Sequence, residues 1–125
     1  MVHSRDKGKK GETEFINQFG SLFPNPIKRN LDQTRDGGAD VTGCEPFVIE
    51  IKRVEKLQPN IWWTQVTRAA SGTPLKDTIP IVAYRQSRQP WRFLLPASLI
   101  VPDPGFVIAT PEVFIKLVTS HYEKL

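Results

Sequence analysis

Gly37-Gly38-Ala39-Asp40 and, after six intervening residues, Phe47-Val48-Ile49-Glu50-Ile51-Lys52 form the stretch on which the reading of this chain turns. Residues 47–54 are rich in β-branched and aromatic types and give the strongest strand signal in the sequence. Side chains alternate faces along a strand, so Phe47, Ile49 and Ile51 share one face and Val48, Glu50 and Lys52 the other. An acid and a lysine therefore project together from a strand that is otherwise apolar, where an ionised group is costly without a partner or a task. Asp40 opens the preceding strand across a short hairpin, so Asp40 and Glu50 can lie side by side near one end of a sheet. Two adjacent carboxylates repel, and a hard divalent cation with oxygen ligands, Mg²⁺ or Mn²⁺, relieves that repulsion. Lys52 beside them could orient a water, lower its pKa, or stabilise charge building on a phosphate. The plain alternative is a Glu50–Lys52 pair on an exposed sheet face, stabilising by about a few tenths of a kcal/mol. The Gly-Gly-Ala-Asp turn one hairpin upstream argues against it.

Working outward, Phe15, Ile16, Phe19, Leu22 and Phe23 recur at helical spacing and predict a helix from about Lys7 to Leu22, ended by Pro24 and Pro26. Glu12 falls on the same stripe, whereas Glu14 points roughly the opposite way. Residues 27–33 read as a short strand, Arg35 to Gly38 as a turn, Ala39 to Cys44 as a second strand and Gly43 to Pro46 as another turn. Pro59 to Ser71 reads as a helix with its proline in the first turn. Ile79 to Tyr84, Trp91 to Leu95 and Phe106 to Ala109 read as strands. Thr110-Pro111-Glu112 starts a last helix that runs to about Glu123. The expected architecture is one domain over residues 1–125, a mixed sheet with helices packed on it, preceded by a basic arm at residues 1–10.

The chain carries a net charge of +4, and 15 of its 17 lysines and arginines lie between Arg5 and Arg92. That asymmetry suits a basic face for a polyanion. The single cysteine, Cys44, excludes an internal disulfide framework and fits a reducing compartment, so the expected location is the cytoplasm. No apolar run approaches the roughly 20 residues of a membrane span. His3 and His121 have no metal-ligand spacing. Trp62 and Trp63 read either as core or as platforms for unpaired bases.

Asp40 followed by Glu50-Ile51-Lys52 resembles the core of the PD-(D/E)xK nuclease superfamily, with Ala39-Asp40 in place of the proline-aspartate step. Over residues 5–95 the chain is more specifically similar to the archaeal-type Holliday junction resolvases and their phage relatives. Gly8-Lys9-Lys10-Gly11-Glu12-Thr13-Glu14 matches the start of their first helix, and Pro90-Trp91-Arg92-Phe93 takes the place of their aromatic-Trp-Arg-Phe strand. Trp62-Trp63-Thr64-Gln65 and residues 84–91 look like small phage nucleases of the same group.

The resemblance implies a restriction-endonuclease-like fold, Mg²⁺, a homodimer, and hydrolysis of branched DNA such as a four-way junction. It assigns Asp40, Glu50 and a carboxylate of the first helix to one or two metal ions, with the Ile51 carbonyl as a further ligand; of Glu12 and Glu14, which compete for the helix role, the stripe favours Glu12. Lys52 then assists a water attacking phosphorus in line; Gln65 either positions water or phosphate, as in some relatives, or is a plain helix-surface glutamine. Candidate phosphate contacts are Lys7, Lys9, Lys10, Arg53, Lys56, Arg85 and Arg88. The rival readings are another enzyme of the superfamily, such as a nicking or restriction-type endonuclease or a single-strand exonuclease, and a non-catalytic DNA-binding module on the same fold.

Overall fold

The structure is a computed structural model and describes residues 4–31, 39–72 and 77–124, with side chains from Lys9 onward. The chain begins with helix α1 (Ser4–Phe19) and a short 3₁₀ turn (Gly20–Leu22). Two short strands follow, β1 (Lys28–Arg29) and β2 (Val41–Thr42), and then β3 (Phe47–Arg53). Helix α2 (Pro59–Ser71) leads to β4 (Ile79–Arg85) and β5 (Arg92–Pro96). After a 3₁₀ turn (Ala97–Leu99), strand β6 (Phe106–Ala109) and helix α3 (Pro111–Glu123) close the sequence.

The main sheet has the order β3-β4-β5-β6, with β3 parallel to β4 and the remaining pairs antiparallel. A parallel pair needs a crossover, and α2 supplies it. The β1–β2 pair forms a separate two-stranded ribbon with Arg29 opposite Val41. The expected mixed sheet flanked by helices is therefore present.

The alternation of β3 sorts the interior into two layers. Phe47, Ile49 and Ile51 join Phe15, Phe19, Phe93, Phe114 and Val118 beneath α1 and α3. Val48 joins Val82, Tyr84 and Leu94 beneath the apolar face of α2, formed by Trp62, Trp63, Val66, Ala69 and Ala70. The first layer is largely aromatic: Phe93 and Phe114 stack at 4.1 Å, and Phe19 meets Phe93 edge-on at 5.4 Å. Each such pair contributes about 0.5–1.5 kcal/mol beyond the area it buries. Both tryptophans are core residues; Trp62 lies on Tyr84, and Trp63 packs on Phe106 while its Nε1 donates to the Pro104 carbonyl.

Helix α1 starts at Ser4, three residues before the expected Lys7. Arg and Lys cost little in a helix, and nothing ahead of the Gly20 turn breaks it. The described part of the expected basic arm, residues 4–10, forms the first turns of α1. The strand expected over residues 27–33 is reduced to Lys28–Arg29. Its later part, and the Arg35–Gly38 turn, lie outside the described residues.

Two glycines decide how these pieces meet. Gly43, at φ +91°, turns β2 into β3, and a Cβ there would stand 2.7 Å from the Pro26 carbonyl oxygen. At Gly11 a Cβ would stand 2.7 Å from the Arg53 Cβ, so only glycine lets α1 approach the end of β3 this closely.

Candidate active site

β3 is the outermost strand of the main sheet, and Asp40 lies along its outer side. The Asp40 N–H donates to the Ile49 carbonyl at 3.0 Å, and Asp40 Oδ2 accepts the Ile51 N–H at 2.6 Å. The Asp40 carbonyl in turn accepts the Asn30 N–H at 2.9 Å, while Asn30 Nδ2 holds the Ala39 carbonyl at 2.9 Å. Backbone and side chain are thereby fixed together, at 5% exposure. The N–H and C=O of one strand residue point to the same side. The Ile51 carbonyl therefore faces this outer edge as well.

The other acids reach the edge from opposite faces. Glu50 comes from the face of β3 that α2 covers, and Glu12 from α1 on the other face; both are buried. The charge of Asp40 acts on each of them. Burial pushes the Glu50 carboxyl up to about 8, reinforced by the Asp40 charge and a hydrogen bond to Asp40, while Lys52 pulls it back. Glu12 is raised as well, by burial first, against the hydrogen bond it receives from Arg29. Burial thus favours the protonated form of Glu50, hydrogen-bonded to Asp40.

The donor atoms at this edge are all oxygens, which suits a hard divalent cation; such an ion would displace the Glu50 proton and relieve the repulsion. Among the described residues, no group of three or more His, Cys, Asp or Glu side chains is gathered closely enough to hold a metal ion. Glu12 Oε1 is instead held by Arg29 Nε at 2.7 Å.

Arg29 is the residue that sequence reasoning missed. It belongs to β1, paired with Val41 next to Asp40, and its partner Glu12 is 17 positions away, so no local pattern marks it.

The remaining candidates are distributed around this edge. Lys52 is half-buried on the Glu50 face. Gln65 is exposed on α2, and Lys9, Lys10, Lys56 and Arg88 are exposed. Arg53 and Arg85 are engaged with acids. Arg85 Nη1 meets Glu14 Oε2 at 2.9 Å, Arg53 Nε lies 3.7 Å from the same oxygen, and Arg53 Nη1 lies 3.6 Å from Glu55 Oε1. Glu14, expected to point away from the sheet, thus ties α1 to the ends of β3 and β4. Lys7 lies in α1, but its side chain is outside the described ones.

A cleft of about 530 Å³ opens between α1 and the β4–β5 hairpin, lined by Glu14, Arg85, Gln89 and Trp91 among others. It contains none of the three carboxylates. The acids sit on an open sheet edge, which admits a long polymer backbone more readily than it encloses a small molecule. Among the described residues no helix is long and apolar enough to cross a membrane.

Two comparisons with known proteins bear on the fold and the family. The Holliday junction resolvase Hjc of Archaeoglobus fulgidus, an archaeal hyperthermophile, matches in structure with a TM-score of 0.54 and 18% identity. The match covers 91% of this chain and 96% of that one. At that identity the likeness is one of fold, the PD-(D/E)xK fold. No curated protein matches in sequence. The sequence pattern of the family described as "Phage putative PDDEXK endonuclease" matches residues 3–104, most of the chain, and the chain belongs to that family.

Proposed function

We propose that this protein is a divalent-metal-dependent DNA endonuclease that acts on branched DNA, such as a four-way junction, as a homodimer. The observation that carries the reading is the meeting of Asp40 and Glu50 at the β3 edge, with Lys52 beside them and Glu12 across the strand. Asp40, Glu50, the Ile51 carbonyl and Glu12 would hold one or two Mg²⁺ or Mn²⁺ ions. When bound, such an ion supplies positive charge against the phosphate oxygens and acidifies water.

The protein's own groups do the rest. The Lys52 ammonium donates to a phosphate oxygen as charge builds on it and orients the attacking water in line. Arg29 couples substrate to site: its guanidinium, held by Glu12 Oε1 at 2.7 Å, would also attract a phosphate, and a phosphate that took it would leave Glu12 Oε1 available as a ligand. Gln65 positions water or a phosphate from α2. Lys7, Lys9, Lys10, Lys56 and Arg88 hold the flanking backbone. Arg53 and Arg85, already paired with Glu14, contribute less. Symmetric resolution of a junction requires two paired cuts, and a two-fold dimer supplies two sites.

The deciding experiment compares a four-way junction, a linear duplex and a single strand, each with Mg²⁺ and with EDTA. Paired symmetric cuts in the junction, dependent on Mg²⁺, are the expected result. Equal cutting of the linear duplex would turn the reading to a nicking or restriction-type enzyme. Binding without cutting in Mg²⁺ or Mn²⁺ would leave a DNA-binding module.

A further inference from the structure

The sheet edge opposite Asp40 is finished in another way. β6 pairs with β5 on one side, and among the described residues no strand pairs with its other side. Its sequence, Phe106-Val107-Ile108-Ala109, has no charge and no proline, the usual means by which an edge strand is kept from pairing with another chain. Apolar side chains flank it on both faces. Ile108, 57% exposed, stands on the same face as Leu94. On the other face, Val107 borders an apolar groove of about 320 Å³, lined also by Leu99, Ile100, Val113 and Leu117. Ile100, beside the groove, is 73% exposed.

Size and charge identify the occupant. Leu99, Ile100, Val101, Ile108 and Val113 together expose on the order of 500 Å², divided between the two faces of this edge. A stable interface buries about 800 Å² per partner, and the half-buried Phe106, Val107 and Leu117 with the strand backbone bring the face into that range. From Phe93 onward the chain has only Lys116 and Lys124 against Asp103, Glu112 and Glu123. A polyanion finds little attraction here, and two copies of a chain of net charge +4 can meet on this side without bringing their basic halves together. Glu112 and Lys116 lie one turn apart on the exposed side of α3, an arrangement that a two-fold axis can pair crosswise.

We infer that the outer edge of β6, with the groove between Leu99–Ile100 and α3, is where a second copy of this chain docks. The two β6 strands run antiparallel across a two-fold axis, and Ile100 of each copy fills the groove of the other. The inference rests on the dimeric reading above and adds its surface. It joins two four-stranded sheets into one of eight strands, with the two Asp40–Glu50 centres at the far ends. At about 4.8 Å per strand, those centres stand roughly 34 Å apart.

The test is the mass in solution at micromolar concentration, by light scattering after size exclusion, of the wild type, Ile108→Lys, Ile100→Glu and the control Ile61→Lys. Ile61 is an exposed apolar residue on α2 that belongs neither to β6 nor to the lining of the groove. The expected result is twice 14.2 kDa for wild type and control, and 14.2 kDa for both edge variants with unchanged far-ultraviolet circular dichroism. The two edge variants change exposed side chains on different segments, so misfolding of one leaves the other to decide. A dimeric wild type whose folded edge variants remain dimeric overturns this surface and leaves the dimer standing. A monomeric wild type overturns both.

Discussion

At the β3 edge, Asp40 takes the Ile49 carbonyl and the Ile51 N–H, and its charge holds the carboxyls of Glu50 and Glu12 above their usual range. At the β6 edge, the strand is bare of charge and its neighbours are apolar. Both edges face the same physical problem, an unpaired row of N–H and C=O groups, and the sequence treats them oppositely. Where the edge is covered by a carboxylate, polar groups converge and chemistry becomes possible. Where it is left apolar, the exposed surface favours association. The lysines and arginines follow the same division, crowding the half that carries the acids.

The largest effect that would break this contrast lies at the polar edge. Asp40→Asn, Glu50→Gln and Lys52→Ala are each expected to lower single-turnover cutting by about 10³-fold or more while DNA binding survives. Glu12→Gln should lose more than Glu14→Gln, because Glu12 lies within the field of Asp40 whereas Glu14 ties Arg85 and Arg53. Near-normal cutting by any of the first three would remove the proposed centre.

A second effect reads the proton at that edge. Glu50 ionises near 4.5 when unfolded and only near 8 when folded. Between those values the folded chain holds a proton that the unfolded chain has released. The stability this confers is therefore complete below pH 4.5 and is lost as the pH rises through about 8. Urea melts in EDTA should show stability falling by at most about 1.4 kcal/mol per pH unit across this window. Glu50→Gln should flatten the profile, and an identical slope in both proteins would dissociate it from Glu50.

Gly11→Ala tests how α1 reaches the edge. The added methyl meets the Arg53 Cβ at 2.7 Å, so a loss of about 1–3 kcal/mol in thermal stability is expected, together with weaker cutting as Glu12 is displaced. Unchanged stability would show that the helix can shift without cost. The smallest effect separates the two halves by charge. Replacing Lys9 and Lys10 with glutamine should flatten the slope of log K against log salt by roughly 1 to 2. Replacing Lys116 and Lys124 should not change it; equal effects would mean that DNA does not distinguish the two sides.

Much of this was legible from the alternation in Phe47–Lys52, because a strand's period fixes which side chains share a face whatever the fold. The layers under α1 and α2, and the pairing of Glu50 with Asp40, follow from it. Helix α2 was legible to the residue, since Pro59 fits only the first turn and the apolar positions beyond it repeat at helical spacing. What stayed hidden depends on distances between remote segments. Arg29 is one cation in a basic stretch until Glu12 is brought to it. Gly11 looks like a weak point in a helix until Arg53 lies beneath it. Arg53 and Arg85 read as phosphate contacts because nothing in sequence announces that Glu14 meets them.

The 2.6 Å bond from the Ile51 N–H to Asp40 Oδ2 gives the site a resident probe. A short hydrogen bond to a carboxylate is sensitive to the charge on that carboxylate. A cation drawing charge from Asp40 should therefore move the nitrogen-15 and proton resonances of this one amide, while the amide of a core residue such as Ile81 stays in place. Following Ile51 through a Mg²⁺ titration would give an occupancy curve without DNA and without turnover. It would do so equally for variants that no longer cut, so that loss of the ion and loss of the chemistry could be told apart in the same tube.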